Sequence, residues 1–372
     1  MAGRATTVIA LTTMLIAGAS AAARAEPGRD LEQVVARRIQ TLLPAGQAGG
    51  IGVAVRIEGR SVFFNYGLAG AARQRPITAD TLFNLASLRK VFETTLLAQA
   101  VRRGELGLDD PVAKYVTELQ QGGDIRAVTL GQLATHTSGL LLPQDHPPWP
   151  DWGYTLPQFI RTLNAWRADF EPGKPIVYTH AGYILLALAL ERRFATPIDE
   201  LIEQRITQPL AMPSTTLPRR DDSPRGQLSG EQLRRAVQGY DGNGEPVGEP
   251  GDQQGYYHWP GTSQMYSSPR DLARFLAANM GEWSIDASLL AGMQLARQGV
   301  LRIGTQTEQA LAWEIISERE QPIVEKYGGL HNASAYIGMM PGRRLGVVIL
   351  GNRGALYPSD AGRNILRELA ER

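Results

Sequence analysis

Cysteine is missing from all 372 residues. That excludes disulfides, a thiolate nucleophile and a cysteine-built zinc cage, so stability rests on the packed core alone. A surplus of charge is missing too, since 38 Lys and Arg face 37 Asp and Glu. With no excess of positive side chains to neutralise phosphates, a nucleic-acid partner is not expected and a small molecule takes its place. Lysine itself is scarce: every basic side chain except Lys90, Lys114, Lys174 and Lys326 is an arginine. No G-x-x-x-x-G-K phosphate loop and no G-x-S-x-G occur, and the glycines within 241–246 lack dinucleotide-binding spacing and read as a hairpin turn. A membrane-spanning run is also wanting, because the apolar stretch at 8–17 falls short of the ~20 residues a span needs.

That short run has another use. Arg4 precedes it, and Ala23-Arg24-Ala25 forms an A-x-A pattern just before Glu26-Pro27, so residues 1–25 read as a cleavable export signal. Cleavage removes two arginines, leaving 36 basic against 37 acidic side chains in 347 residues, and points to the periplasm. That length can bury one substantial core. Nothing in the pattern specifies a subunit interface.

Within 26–372, helical spacing after an Asp cap predicts a helix over 30–43, and strict alternation predicts strands over 50–57 and 61–66 joined as a hairpin. Helical signals then dominate, at 91–103, 129–135, 156–166, 183–193 and 197–206. Strand signals return at 334–340 and 345–350, before a closing amphipathic helix over 360–369. The expectation is an α+β fold: an antiparallel sheet assembled from both ends of the chain, flanked by helices, with an all-helical lobe inserted at about 87–235. The stretch 146–152 (HPPWPDW) reads as a rigid packed loop, with an aromatic rim for substrate as the alternative.

In a chain that prefers arginine, a retained lysine suggests proton transfer, because lysine can lose its proton when desolvated and arginine cannot. Lys90 follows Ser87 by three residues at the start of a predicted helix, so the two share a face. A serine hydroxyl becomes nucleophilic when a neighbouring base takes its proton, and a helix N-terminus can stabilise a developing oxyanion. With 15 serines and four lysines, chance alone supplies roughly 0.16 such pairs, so the motif is moderately specific by itself. Tyr178, at the head of another predicted helix, is a candidate second base, or simply a packed tyrosine. Lys326-Tyr327-Gly328-Gly329 precedes the strand predicted at 334–340. There an edge strand could let substrate approach, the Gly329 N–H could complete an oxyanion hole with that of Ser87, and Lys326 could hold a substrate carboxylate. The alternative is a surface lysine before a turn. His180 and His331 are the candidate zinc ligands, but no H-x-x-x-H pair or third ligand accompanies them, so the expectation is no cofactor, with zinc as the alternative.

Taken in order, Ser87-Leu88-Arg89-Lys90, Tyr178-Thr179-His180 and Lys326-Tyr327-Gly328 resemble the S-x-x-K, Y-x-N and K-T-G motifs of the serine β-lactamase and penicillin-binding-protein superfamily, with class C β-lactamases most similar. The stretches 108–115 and 133–140 also look typical of it, and His136 then has a loop-holding role. The resemblance implies an acyl-enzyme mechanism in which Ser87 attacks, Lys90 and Tyr178 share the proton, Lys326 steadies the phenolate, and His180, Tyr327, Gly328 and Gly329 contact substrate. His180 stands where the family has asparagine, and Tyr327 where it has a hydroxyl residue. Because that asparagine bonds an acylamino group that carbapenems lack, carbapenems are a candidate preferred subclass. The segment 313–326 looks shorter than in typical class C enzymes, which implies a more open cleft. The expected function is periplasmic β-lactam hydrolysis. The alternatives are a D-alanyl-D-alanine carboxypeptidase, an esterase, or a non-catalytic β-lactam-binding sensor.

Overall fold

The computed structural model describes residues 27–372 except 71–73, 146–152, 170, 172, 174–175, 220–226, 253–256 and 318–320. The signal at 1–25 and the loop at 146–152 therefore lie outside the described residues. The chain begins with α1 (Pro27–Leu42) and the hairpin β1 (Gly50–Ile57) and β2 (Arg60–Gly70). The turn residues Glu58 and Gly59 both take positive φ, the backbone hand that matches the twist of a tight hairpin. After β3 (Arg75–Pro76) the chain turns helical, and its helices include α2 (Arg89–Arg102), α3 (His180–Phe194), α4 (Pro269–Asn279) and α5 (Ala287–Ala296). Strands β4 (Leu301–Ile303), β5 (Thr307–Gln309), β6 (Glu314–Ile316), β7 (Ile323–Leu330), β8 (Ala333–Met340) and β9 (Leu345–Gly351) follow, and α6 (Ser359–Ala370) closes the chain.

The nine strands form one sheet in the order β3-β2-β1-β9-β8-β7-β6-β5-β4. The last long strand lies against the first, with Val53 opposite Ile349 and Ala54 opposite Val348. This is the antiparallel sheet from both chain ends that the pattern predicts. Both of its faces are covered. On β9, Val347 and Ile349 pack with α1 and α6 residues such as Val34 and Ile365, whereas Val348 and Leu350 join Leu88, Phe92 and Phe275 on the opposite side. Period-two alternation sorts these side chains, and because both sides are apolar the strands read as nearly continuous hydrophobic runs.

β7 was not among the strands legible in the sequence. Its IVEKYGGL run places Glu325 and Lys326 side by side, yet both are buried. Arg363 of α6 holds Glu325, and Glu314 of β6 lies 3.6 Å from the Lys326 ammonium. Compensation by these partners permits a buried charged strand that hydrophobic patterning alone excludes. The helix predicted over 197–206 is likewise two pieces, an α-turn at Ile198–Ile202 and a π-turn at Glu203–Thr207.

Candidate active site

α2 is buried along almost its whole length, and Ser87 stands just before it on the 3-10 turn Ala86–Leu88. The turn is fixed from several sides. The Leu85 N–H donates to Met265 O at 2.8 Å, and the Ala86 N–H to Asn84 Oδ1 at 2.9 Å. Ala86 takes φ +47°, a left-handed conformation that costs a non-glycine residue about 1–2 kcal/mol and is held by those contacts. Arg89 anchors the helix start by donating to Glu93 and to the carbonyls of Gly261 and Ser263.

The structure gathers the predicted side chains around Ser87. Tyr178 Oη lies 2.5 Å from Ser87 Oγ, and Lys90 Nζ lies 3.3 Å from the same oxygen. The Lys90 ammonium is 5.0 Å from the centre of the Tyr178 ring, and that of Lys326 is 5.5 Å away on another side. Burial opposes ionisation of this phenol. The nearby ammonium groups of Lys90 and Lys326 outweigh it, with hydrogen bonds to Lys90 and Ser87, and hold the phenol below its ordinary value. Tyr178 keeps 41% of its surface exposed, so the cleft stays open at the hydroxyl contact.

Two residues outside the three motifs position Tyr178. His136, in the left-handed region at φ +59°, accepts from the Thr179 N–H through Nδ1 at 3.3 Å and from the Val177 N–H through its carbonyl at 2.8 Å. Its ring packs 4.4 Å from that of Tyr178. Burial, then the charges of Lys326 and Lys90, push the imidazole well below its usual range, so it is neutral. That is the loop-holding role the resemblance implies. Asp145, not singled out in the sequence, receives the N–H groups of His180 and Ala181 and the Thr179 hydroxyl, while Thr179 in turn caps Gly182. A carboxylate at the open end of α3 thus fixes the segment carrying Tyr178. No local pattern ties Asp145 to a helix that begins 35 residues later.

Lys326 lies inside β7, not ahead of the strands. Beyond Glu325 the strand has β8 on one side only, and its free side meets the Ser87 turn, so the edge character predicted for the glycines applies to this half. A Cβ on Gly328 would stand 2.8 Å from the Ser87 nitrogen, whereas one on Gly329 would meet nothing within 4 Å. Tyr327 is half-exposed, with its ring centre 5.7 Å from Lys326 Nζ. The His180 ring lies edge-on to Tyr178 at 5.5 Å, and desolvation followed by the Lys90 charge lowers its pKa. His331 is exposed in the β7–β8 turn. No group of three His, Asp or Glu side chains suited to a metal occurs among the described residues.

A cavity of about 610 Å³ lined by Ile202, Thr207, Met212 and Arg274 includes none of the Ser87 cluster among its lining residues. The side-chain chemistry, not this cavity, marks the site. A serine hydroxyl flanked by a phenol of lowered pKa and by two lysines fits the class of serine hydrolases. The β-lactamase family model matches residues 32–372, and the chain belongs to that family. It is 27% identical to β-lactamases from Psychrobacter immobilis, over 94% of this chain and 90% of that one, and from Pseudomonas fluorescens, over 89% and 95%. Among solved structures, a class C β-lactamase superposes with TM-score 0.79 at 26% identity, covering 91% of this chain and 96% of its own. A D-alanine carboxypeptidase from Burkholderia cenocepacia gives 0.78 at 26%, covering 92% and 99%.

Proposed function

We propose that this chain is an exported β-lactamase of the class C type that opens the lactam amide through an acyl-enzyme on Ser87. The observation that carries the reading is the 2.5 Å approach of Tyr178 Oη to Ser87 Oγ beneath two lysines. Tyr178, held toward phenolate, takes the serine proton as Oγ attacks the carbonyl carbon. Lys90, 3.3 Å from that oxygen, relays the proton to the leaving nitrogen. The N–H groups of Ser87 and Gly329 receive the oxyanion, and Lys326 receives the substrate carboxylate. Water then attacks the ester to release the product. No metal takes part. His180 replaces the amide that would bind an acylamino substituent, which leaves carbapenems as the subclass least affected.

The carboxypeptidase among the structural relatives supports a second reading, D-alanyl-D-alanine hydrolysis on the same serine, and small esters are a third class of acyl donor. These differ in deacylation: a β-lactamase releases the lactam-derived acyl group rapidly, a penicillin-binding enzyme retains it, and a sensor never turns over. Intact-mass spectra and burst kinetics with a penicillin, a cephalosporin, a carbapenem, a D-Ala-D-Ala peptide and a nitrophenyl ester separate the cases. Transient adducts with turnover of the lactams are expected in the wild type and none in Ser87→Ala; no adduct with any compound rules the mechanism out.

A further inference from the structure

Lys326 carries a partner of its own. Its side chain is 3% exposed, and its ammonium lies 3.6 Å from Glu314 Oε1, whose side chain is 20% exposed on the neighbouring strand β6. Glu314 stands directly opposite Glu325 in the β6–β7 ladder, and Lys326 is the next residue along β7. Glu314 and Glu325 play different parts. Glu325 is fully buried, committed to Arg363 and to the Tyr336 hydroxyl, while the partly exposed Glu314 reaches the Lys326 ammonium from the strand end and adds its charge to the field around Tyr327. The separation from Lys326 is an ion pair longer than a hydrogen bond, so the ammonium, with three N–H donors, keeps the capacity to bind a second anion.

We infer that Glu314 is an internal counter-ion that sets the site's preference between anionic and neutral acyl donors, by competing with a substrate carboxylate for Lys326. The inference rests on the acyl-enzyme reading of Ser87. The physical reason is a sharing rule. An anion that docks on Lys326 must approach a carboxylate already there, and two like charges on one ammonium in a half-open cleft repel by an amount worth about tenfold in affinity. A neutral ester places no charge on Lys326 and escapes the penalty. Glu314 touches neither Ser87 nor the reacting carbonyl in this arrangement. It is a positioning residue acting through Lys326, and its signature is a change confined to the affinity for anionic substrates.

The test compares wild type with the isosteric Glu314→Gln, using a chromogenic cephalosporin that carries a carboxylate and a neutral nitrophenyl ester, with Glu314→Ala as the second variant and circular dichroism as the check on folding. Removing the charge is expected to lower KM for the cephalosporin about threefold to tenfold with kcat held within twofold, and to leave both constants for the ester within twofold. An equal change for both substrates, or none for the anionic one, overturns the inference while the serine mechanism stands. If neither compound is turned over by the wild type or forms an adduct on Ser87, the functional reading itself has failed and the inference falls with it.

Discussion

Gly328 and Gly329 are neighbours on β7 with opposite tolerance for a methyl group. On Gly328 a Cβ would meet the Ser87 nitrogen at 2.8 Å, the Leu85 carbonyl oxygen at 3.0 Å and the Ala86 Cβ at 3.1 Å. Ordinary contact begins at 3.4 Å, so strand and turn must part by about half an ångström. The nearest two of these atoms are backbone, so no change of rotamer can make the room, and the neighbouring Ala86 is already in a left-handed conformation. Overpacking of this kind costs about 1–3 kcal/mol. Because the Ser87 N–H is half of the proposed oxyanion hole, its displacement is expected to reduce kcat about a hundredfold or more. Gly329→Ala faces open space and keeps its N–H, so its stability should stay within about 0.5 kcal/mol of wild type. Thermal melts and kcat/KM on whichever acyl donor labels Ser87 compare the two variants. A Gly328→Ala protein that melts and turns over like the wild type, or a Gly329→Ala protein that is the more damaged, would refute the idea that close approach of β7 positions the nucleophile's turn.

Lys90→Arg preserves the charge beside Tyr178 but cannot release a proton, and its larger head must fit a buried position; kcat should drop by roughly 10² to 10⁴, and a loss below tenfold in steady-state rates would remove Lys90 from the proton path. His136 is neutral when folded, with its pKa held below the ordinary value of about 6.5, so stability is fully present above that pH and is lost as the unfolded chain takes up a proton below it. The unfolding free energy from urea titrations between pH 6.5 and 4.5 should fall by up to about 1.4 kcal/mol per pH unit for this group, and His136→Asn should remove that share of the slope; an unchanged slope counts against the assignment. Asp145→Ala leaves two N–H groups of α3 uncapped and should cost about 1–2 kcal/mol in denaturant titration together with part of kcat, while Asp145→Asn recovers some of both. Equal loss in the two variants would argue against capping as its role. Dialysis against a chelator should leave every rate unchanged, and a loss restored by zinc would revive the histidine-ligand alternative.

Much of the candidate site is legible in the sequence. Ser87 and Lys90 are three residues apart on a helix start, so local geometry alone makes them neighbours. The scarcity of lysine drew attention to Lys90 and Lys326. Asp145 was not legible, because it works on a helix 35 residues further on and sits in no pattern of its own; nor was Glu314, because the strand it pairs with was itself hidden. The strand β7 was hidden for a related reason: its adjacent charges are stable in the interior only because Arg363 and Glu314 come to them from α6 and β6. The amphipathic α4, by contrast, carries readable signals, a Ser268 cap and a proline at its first position, although the predicted set passes over it.

By itself, the order of residues determined the alternation of the paired terminal strands, the apolar periodicity of the helices and the closeness of Ser87 to Lys90 on one helix start. These are short-range properties, set by backbone period and side-chain chemistry within a few residues. Folding decided the rest. The phenol that meets the serine from 91 positions away, the lysine that faces it from a strand and the glycine that admits that strand depend on distances between segments far apart in the chain, which only packing of the sheet against α2 could set.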